Sequence, residues 1–204
     1  MTFIGKSALL GWAFFASATA MAQTSAFSGA AVGASVNLLG ASFKYTDIDK
    51  DYGTNGDQNV GLALTASYGL DLSPETVVLL GADLDFTEKH IFRSSESKNY
   101  SNLKNSLSFY IAPGKVINEH TLVYGKLSLE TTKFSIGTKS STTIRTKEEA
   151  ISGVGIGFGV RNKINNDLIL QTEIKRVNYK EVDYFNDKIE PSTTSGSVGL
   201  LYKF

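Results

Sequence analysis

Two histidines, His90 and His120, are the only side chains in this 204-residue sequence with an ordinary pKa near neutrality, and cysteine is absent. A Ser-His-acid site would therefore have to be built on one of those imidazoles. A Ser-His-acid site needs the ring within reach of both a nucleophile and an orienting carboxylate. His90 has Glu88 nearby and His120 follows Glu119, but the residues after them are Ile91-Phe92 and Thr121-Leu122, so neither places a serine two positions along the same strand face. The acid-rich stretch Asp47-Ile-Asp49-Lys-Asp51-Tyr-Gly53-Thr-Asn55-Gly-Asp57 invites a calcium reading. It fails as an EF-hand loop, which requires glycine at the sixth position and glutamate at the twelfth; counted from Asp47 those places hold Tyr52 and Gln58. It reads instead as a solvated acidic loop.

A third group of charges has a different pattern. Asp83, Asp85, Lys126, Glu130, Arg161, Glu173 and Lys175 each occupy alternate positions in segments whose intervening residues are apolar. Alternation of this kind defines a two-faced strand, which sends all of these charges to one side of a sheet. Both signs are present, so the set can pair with itself.

The segments that carry them recur along the chain. Eight alternating stretches fall at about 28–44, 60–72, 76–86, 105–114, 121–131, 151–161, 168–177 and 194–204. The second is the clearest: Val60, Leu62, Leu64, Ala66, Tyr68, Leu70 and Leu72 alternate with Gly61, Ala63, Thr65, Ser67, Gly69 and Asp71. The sixth sets Val154, Ile156, Phe158 and Val160 against Gly153, Gly155, Gly157 and Gly159. In the third, Val77 and Leu79 interrupt the polar face, and in the fourth Pro113 is expected to end or bulge the strand because proline donates no ladder hydrogen bond.

The links between stretches alternate long and short: 45–59, 87–104, 132–150 and 178–193 are long, whereas 73–75, 115–120 and 162–167 are short. All the long links then share one end of the sheet. An up-and-down barrel in an outer membrane has this pattern, with short periplasmic turns and longer external loops. A secreted β-sandwich also spaces its turns regularly but has no reason to gather its long loops at one end.

Residues 1–22 carry the third expectation. Lys6 precedes an apolar run from Ala8 to Ala18, and Ala20-Met21-Ala22 gives a small-x-small cleavage pattern, so this stretch reads as a secretory signal peptide with the mature domain at 23–204. The remainder has no apolar run long enough for a transmembrane helix, few prolines, and zero formal net charge without a basic stripe, which argues against nucleic acid as a partner. A sheet can cross hydrocarbon only if it closes and leaves no edge, and strands of roughly 9–11 residues suffice to cross it. The apolar face must then point outward to lipid. The face of glycine, alanine, serine and the seven charges fills the narrow lumen. The final stretch puts Val198, Leu200, Tyr202 and Phe204 on the outer face, with the aromatic pair at the interface.

Three segments carry a family resemblance: Tyr110-Ile-Ala-Pro-Gly-Lys-Val-Ile-Asn-Glu-His-Thr-Leu-Val-Tyr124-Gly-Lys, the hairpin from Gly153-Val-Gly-Ile-Gly-Phe-Gly through Asn166-Asp-Leu-Ile-Leu-Gln-Thr-Glu173, and the terminal Gly199-Leu-Leu-Tyr-Lys-Phe204. They resemble the small outer-membrane β-barrel domains of Gram-negative bacteria, the group that includes the OmpA transmembrane domain, OmpX/Ail-like proteins and opacity-type porin-family proteins. The resemblance implies an all-β, eight-stranded antiparallel up-and-down transmembrane β-barrel in the outer membrane, with short periplasmic turns and four longer extracellular loops. It also implies that Val198, Leu200, Tyr202 and Phe204 form the strand read by the barrel-assembly machinery. The His-x-Ser pattern of the lipid A deacylases in such membranes is missing.

The functional expectation is a structural or surface-interaction protein, adhesin-like, with a plugged lumen, no catalysis, no cofactor and no metal. Its partners would be outer-membrane lipids and lipopolysaccharide, the assembly machinery, and a host or environmental surface ligand met by the extracellular loops. A narrow ion-conducting pore through the lumen charges is the alternative, and a lipid A-modifying enzyme a further one. Lys133, Lys139, Arg145 and Lys147 make the third loop basic, and Tyr179, Tyr184, Phe185 and Ile189 give the fourth an aromatic character.

Overall fold

The computed structural model describes residues 26–47, 50–93, 99–139, 144–184 and 187–204, with side chains described for 26–42, 58–88, 102–135, 148–182 and 190–204. The predicted signal peptide, the side chains of the 47–57 acidic stretch, and those of His90, Lys139, Arg145, Lys147, Tyr184, Phe185 and Ile189 lie outside them. The strands are β1 (Gly29–Asp47), β2 (Lys50–Ser73), β3 (Thr76–Asp85), β4 (Lys89–Arg93), β5 (Asn99–Asn118), β6 (Thr121–Lys139), β7 (Ile144–Lys163), β8 (Leu168–Tyr179), β9 (Val182–Tyr184) and β10 (Asp187–Lys203).

They form one closed, all-antiparallel barrel of eight staves. Each neighbours the next in sequence, and β1 pairs with β10 from Ala31↔Lys203 to Thr46↔Lys188, which removes the edge. The short strands β4 and β9 are not extra staves. β3 and β4 both pair with β5, and β8 and β9 both pair with β10, so each short strand continues a stave after a break.

The face assignment follows the sequence pattern. Leu38, Val60, Leu62, Phe109, Leu129 and Ile156 are among the apolar residues left exposed on the outer wall, whereas Thr65, Ser67, Ser108, Lys126 and Glu130 are buried inside. In water such a wall would be unstable; in hydrocarbon it is the favourable arrangement. Three tight turns join the staves at one end. At the β5–β6 turn Asn118 Oδ1 accepts the His120 amide at 2.9 Å, and at the β7–β8 turn Asn165 Oδ1 accepts the amides of Asp167 and Leu168 at 3.0 and 2.8 Å. These side-chain caps stand in for ladder bonds the turning backbone cannot make.

Three details depart from the sequence pattern. Much of the predicted loop sequence at the opposite end is strand: β1 and β2 remain paired up to Asp47↔Lys50, and β6 and β7 up to Lys139↔Ile144. β2 has 24 residues and β5 and β7 have 20 each. At about 3.4 Å per residue and a tilt near 45°, a stave of that length rises well beyond an apolar band about 25 Å tall. Outside the lipid the outward face no longer has to be apolar, so these extensions lose the apolar alternation while keeping the ladder.

Pro113 neither ends nor shifts its strand. Val78↔Pro113 pairs on one side, and the β5–β6 register is the same at Ile111↔Leu127 as at Gly114↔Tyr124. The register shifts between β5 and β6 fall instead at Val116–Asn118, beside the turn, and at Lys104–Leu107, where Asn105 adopts φ 48°. Asparagine tolerates this left-handed conformation better than most residues. Val77 and Leu79, which blur the face of β3, are fully buried and point inward at the end bearing the short turns.

Candidate functional site

With the outer wall given over to lipid, the lumen is where the charges converge, and it is built in three layers. Nearest the short turns, an apolar cluster of Phe27, Ala31, Val77, Leu79, Ala112, Leu122, Ile169 and Leu201 closes the barrel, roofed by the rings of Tyr110 and Tyr124. At the other end a second apolar cluster holds Ala41, Leu103, Phe134, Ile151, Val177, Tyr179 and Val182. The charges lie between them.

Lys126 is the centre of the middle layer. Projecting from β6 with 2% of its side chain exposed, it bonds Asp83 Oδ2 of β3 at 2.7 Å and Glu173 Oε1 and Oε2 of β8 at 2.8 and 3.0 Å. Its ammonium also lies 4.0 Å from the Tyr110 ring centroid. Thr65 donates to Asp83 Oδ1 at 2.9 Å and the Tyr124 hydroxyl to Glu173 Oε2 at 2.9 Å, so both carboxylates are held by a cation and a hydroxyl. Buried charge is tolerable only when paired and hydrogen-bonded in this way.

The remaining predicted charges form two flanking groups. Toward the extensions, Lys175 meets Glu130 Oε2 at 3.1 Å while the Tyr179 hydroxyl donates to Glu130 Oε1 at 3.3 Å. Asp85 accepts the Thr87 amide at 2.9 Å and the Thr87 hydroxyl. Toward the turns, Arg161 is met by neutral partners: its Nε donates to Gln171 Oε1 at 2.8 Å and an Nη to Ser67 Oγ at 3.1 Å, with the guanidinium 5.9 Å from the Tyr124 ring. A polar cavity of about 30 Å³ remains beside Lys126, Glu130 and Glu173, room for very little water.

All seven lumen residues named from the sequence therefore face inward, but as three groups, with Arg161 outside the carboxylate network. Tyr110, Tyr124, Thr65, Ser67 and Gln171 complete it. Their positions on the inward face are visible in the alternation; what the sequence does not give is which of them touch. Tyr179 departs from its predicted place in an external loop, because β8 continues through it and its period-2 position turns the ring inward, 5% exposed.

The glycines opposite this layer have a defined use. A Cβ on Gly81 would lie 2.5 Å from the Tyr110 ring, and one on Gly159 would fall on the ring of Tyr124. Bare backbone at these two places lets the tyrosines lie flat against the wall.

Among the described residues no group of histidines, cysteines and carboxylates is arranged to hold a metal ion. His120 sits in the β5–β6 turn as its position predicts. The terminal residues Val198, Leu200, Tyr202 and Phe204 are 53%, 49%, 50% and 75% exposed on the outer wall. The Tyr202 and Phe204 rings meet edge to face with centroids 5.2 Å apart, and the Phe204 amide donates to the Ala30 carbonyl at 3.0 Å.

Among solved structures, the chain is similar to the attachment protein Ail of Yersinia pestis, crystallised with the heparin analogue sucrose octasulfate, at 15% identity and a TM-score of 0.47 over 86% of this chain and 99% of Ail. It is similar to Neisserial surface protein A at 13% identity and 0.46, over 85% and 99% of the two chains. The Escherichia coli outer membrane protease OmpT matches at 8% identity and 0.42, over 89% and 99%. No curated protein matches this chain. A family model described as the outer membrane protein beta-barrel domain matches residues 8–204. A closed sheet with a lipid-compatible outer wall, matched over nearly its whole length by that family model, leaves one assignment: the chain belongs to the outer membrane protein beta-barrel domain family and resides in the outer membrane.

Proposed function

We propose that this protein is a non-conducting, non-catalytic outer-membrane barrel that holds its extracellular hairpins toward ligands on host or environmental surfaces, in an adhesin-like role. The observation that carries the reading is the sequence of layers in the lumen: paired charge sealed between an apolar cluster at each end. An ion entering would have to cross two dry layers and displace a lysine from two carboxylates. Each step is costly where no water replaces the lost contacts. The staves themselves reach past the lipid on the side of the long connections, which makes a raised rim the natural contact surface.

Planar-bilayer recording on refolded protein tests the sealed lumen. No discrete conductance steps are expected from the wild type; steps that disappear in Lys126→Met or Glu173→Gln would overturn it. The absence of catalysis is checked by mass spectrometry of lipid A from expressing cells, where an unchanged acyl and phosphate pattern is expected.

Residues 1–22 act in this reading as a cleaved export signal, and the terminal strand as the address read by the assembly machinery. Phe204 separates recognition from stability. Its ring is 75% exposed and its side-chain contact with Tyr202 is of a kind worth about 0.5–1.5 kcal/mol, so Phe204→Ala should refold into detergent nearly as well as the wild type. In cells the same variant should leave several-fold less heat-modifiable barrel in the outer membrane. Equal amounts in both settings would remove Phe204 from the assembly signal.

A further inference from the structure

One stretch of the outer wall is not convex. The outward residues of β7, β8, β10 and β1 line up in rows across the sheet, and in one row Phe158, Ile174, Gly196 and Leu38 stand side by side. A Cβ on Gly196 would meet nothing within 4 Å. Gly196 lies in an open groove of about 590 Å³ lined by Leu38, Phe158 and Ile174 and, toward the turns, by Val36 and Val198. Its lining is almost wholly apolar.

The depth of the groove is fixed by its own strand. The outward residues of β10 run Phe204, Tyr202, Leu200, Val198 and Gly196 from the turn side, and then become Thr194 and Ser192. Phe204 to Gly196 is nine residues, close to the 9–11 that cross the hydrocarbon. Gly196 therefore lies in the outer-leaflet half of the apolar band, just inside its polar boundary.

In the next row toward that boundary, Arg176 pairs with Thr194 and Ile156. Arg176 faces outward and is exposed; its Nε reaches Asn178 Oδ1 at 3.4 Å, and among the described residues its two Nη groups have no hydrogen-bond partner. An exposed guanidinium at the edge of a lipid-facing wall matches an oxyanion at headgroup depth, and it binds phosphate in a two-pronged geometry. Glu190, on the outward face of the same strand as Thr194, is two rows further out.

From this juxtaposition we propose that the Gly196 groove and Arg176 form a binding site for a phosphorylated, multiply acylated lipid of the outer leaflet, with one acyl chain in the groove and a headgroup phosphate on the guanidinium. Charge complementarity and depth select this occupant. A second copy of the barrel would bring another apolar wall and leave Arg176 facing it without a counter-ion, whereas a membrane lipid supplies chain and phosphate at the required separation of one row. The site stands apart from the lumen and is independent of the surface-contact reading.

Native mass spectrometry of the full chain, delipidated in detergent and supplied with either diphosphoryl lipid A or lipid A stripped of phosphate, tests both halves. One retained lipid A per barrel is expected for the wild type. Gly196→Leu should lower retention of both lipids. Arg176→Gln should lower diphosphoryl lipid A alone, by about tenfold or more as for loss of a charge-assisted bond, and Arg176→Lys should recover part of it. Phe109→Leu, on the distant outer face of β5, should change neither, and unboiled gel mobility confirms that each variant is folded. Retention unaffected by Gly196→Leu, retention equal with and without phosphate, or a protein dimer that Gly196→Leu abolishes would each overturn the proposal.

Discussion

Lys126→Met is expected to destabilise the barrel by about 3–5 kcal/mol, because it removes one cation from between two buried carboxylates and leaves both uncompensated. Methionine keeps the bulk of the stem, so cavity formation contributes little and the loss is electrostatic. The urea midpoint of refolded protein in detergent or vesicles measures it. A double variant, Lys126→Met with Glu173→Gln, should regain part of the loss because one of the stranded charges has gone. An unchanged midpoint in the single variant would mean that water reaches the carboxylates. That result would also remove the physical basis of the sealed lumen.

Gly159→Val should be nearly as damaging, from sterics rather than charge. The new Cβ would occupy the place of the Tyr124 ring, and the tyrosine cannot move without breaking its 2.9 Å bond to Glu173. Overpacking typically costs 1–3 kcal/mol, and loss of a hydrogen bond to a charged acceptor about 1.5–3 kcal/mol more. Two comparisons isolate the cause. Gly157→Ala, two residues away on the same face, would bring a Cβ to 3.0 Å from the Ile174 carbonyl oxygen and into ordinary contact with the Lys175 and Lys126 Cβ atoms at 3.5 and 3.6 Å, and should be milder. Tyr124→Leu combined with Gly159→Val should be less destabilised than the sum of the two single changes, since each makes room for the other. Strict additivity in the unfolding free energies would mean that the ring and the glycine do not compete for space.

What could be read from the chain beforehand divides along the membrane boundary. Inside the lipid one face of each strand must be apolar, so Val60 to Leu72 or Val154 to Val160 announce both strand and orientation, and the inward position of all seven lumen charges follows from period two alone. Val77 and Leu79 break the pattern because the lumen near the turns is itself apolar, a second hydrophobic environment that local alternation does not distinguish from lipid. Beyond the membrane the outward face is no longer held to apolar residues. There Lys50–Asn59 and Thr132–Lys139 carry no periodic signal, although their backbones stay in the ladder. The inward direction of Tyr179 is likewise not legible locally, since it depends on β8 continuing past the last apolar outward residue. The grouping of the charges depends on register, which pairs Gly157 with both Lys126 and Lys175 across three staves and is set by the closed sheet as a whole.

The β1–β10 seam has a consequence for the order of events in assembly. Every other ladder joins staves adjacent in sequence and closes a short hairpin; this one joins the first stave to the last, so its closure entropy is the largest in the molecule. Contacts of such separation form slowly, and the seam should be the last ladder to zip. Until then two unpaired edges, each more than a membrane thickness long, would meet hydrocarbon without partners. The late step is thus the one at which an inserted chain most needs help, and the outward row that ends at Phe204 runs along the strand that waits.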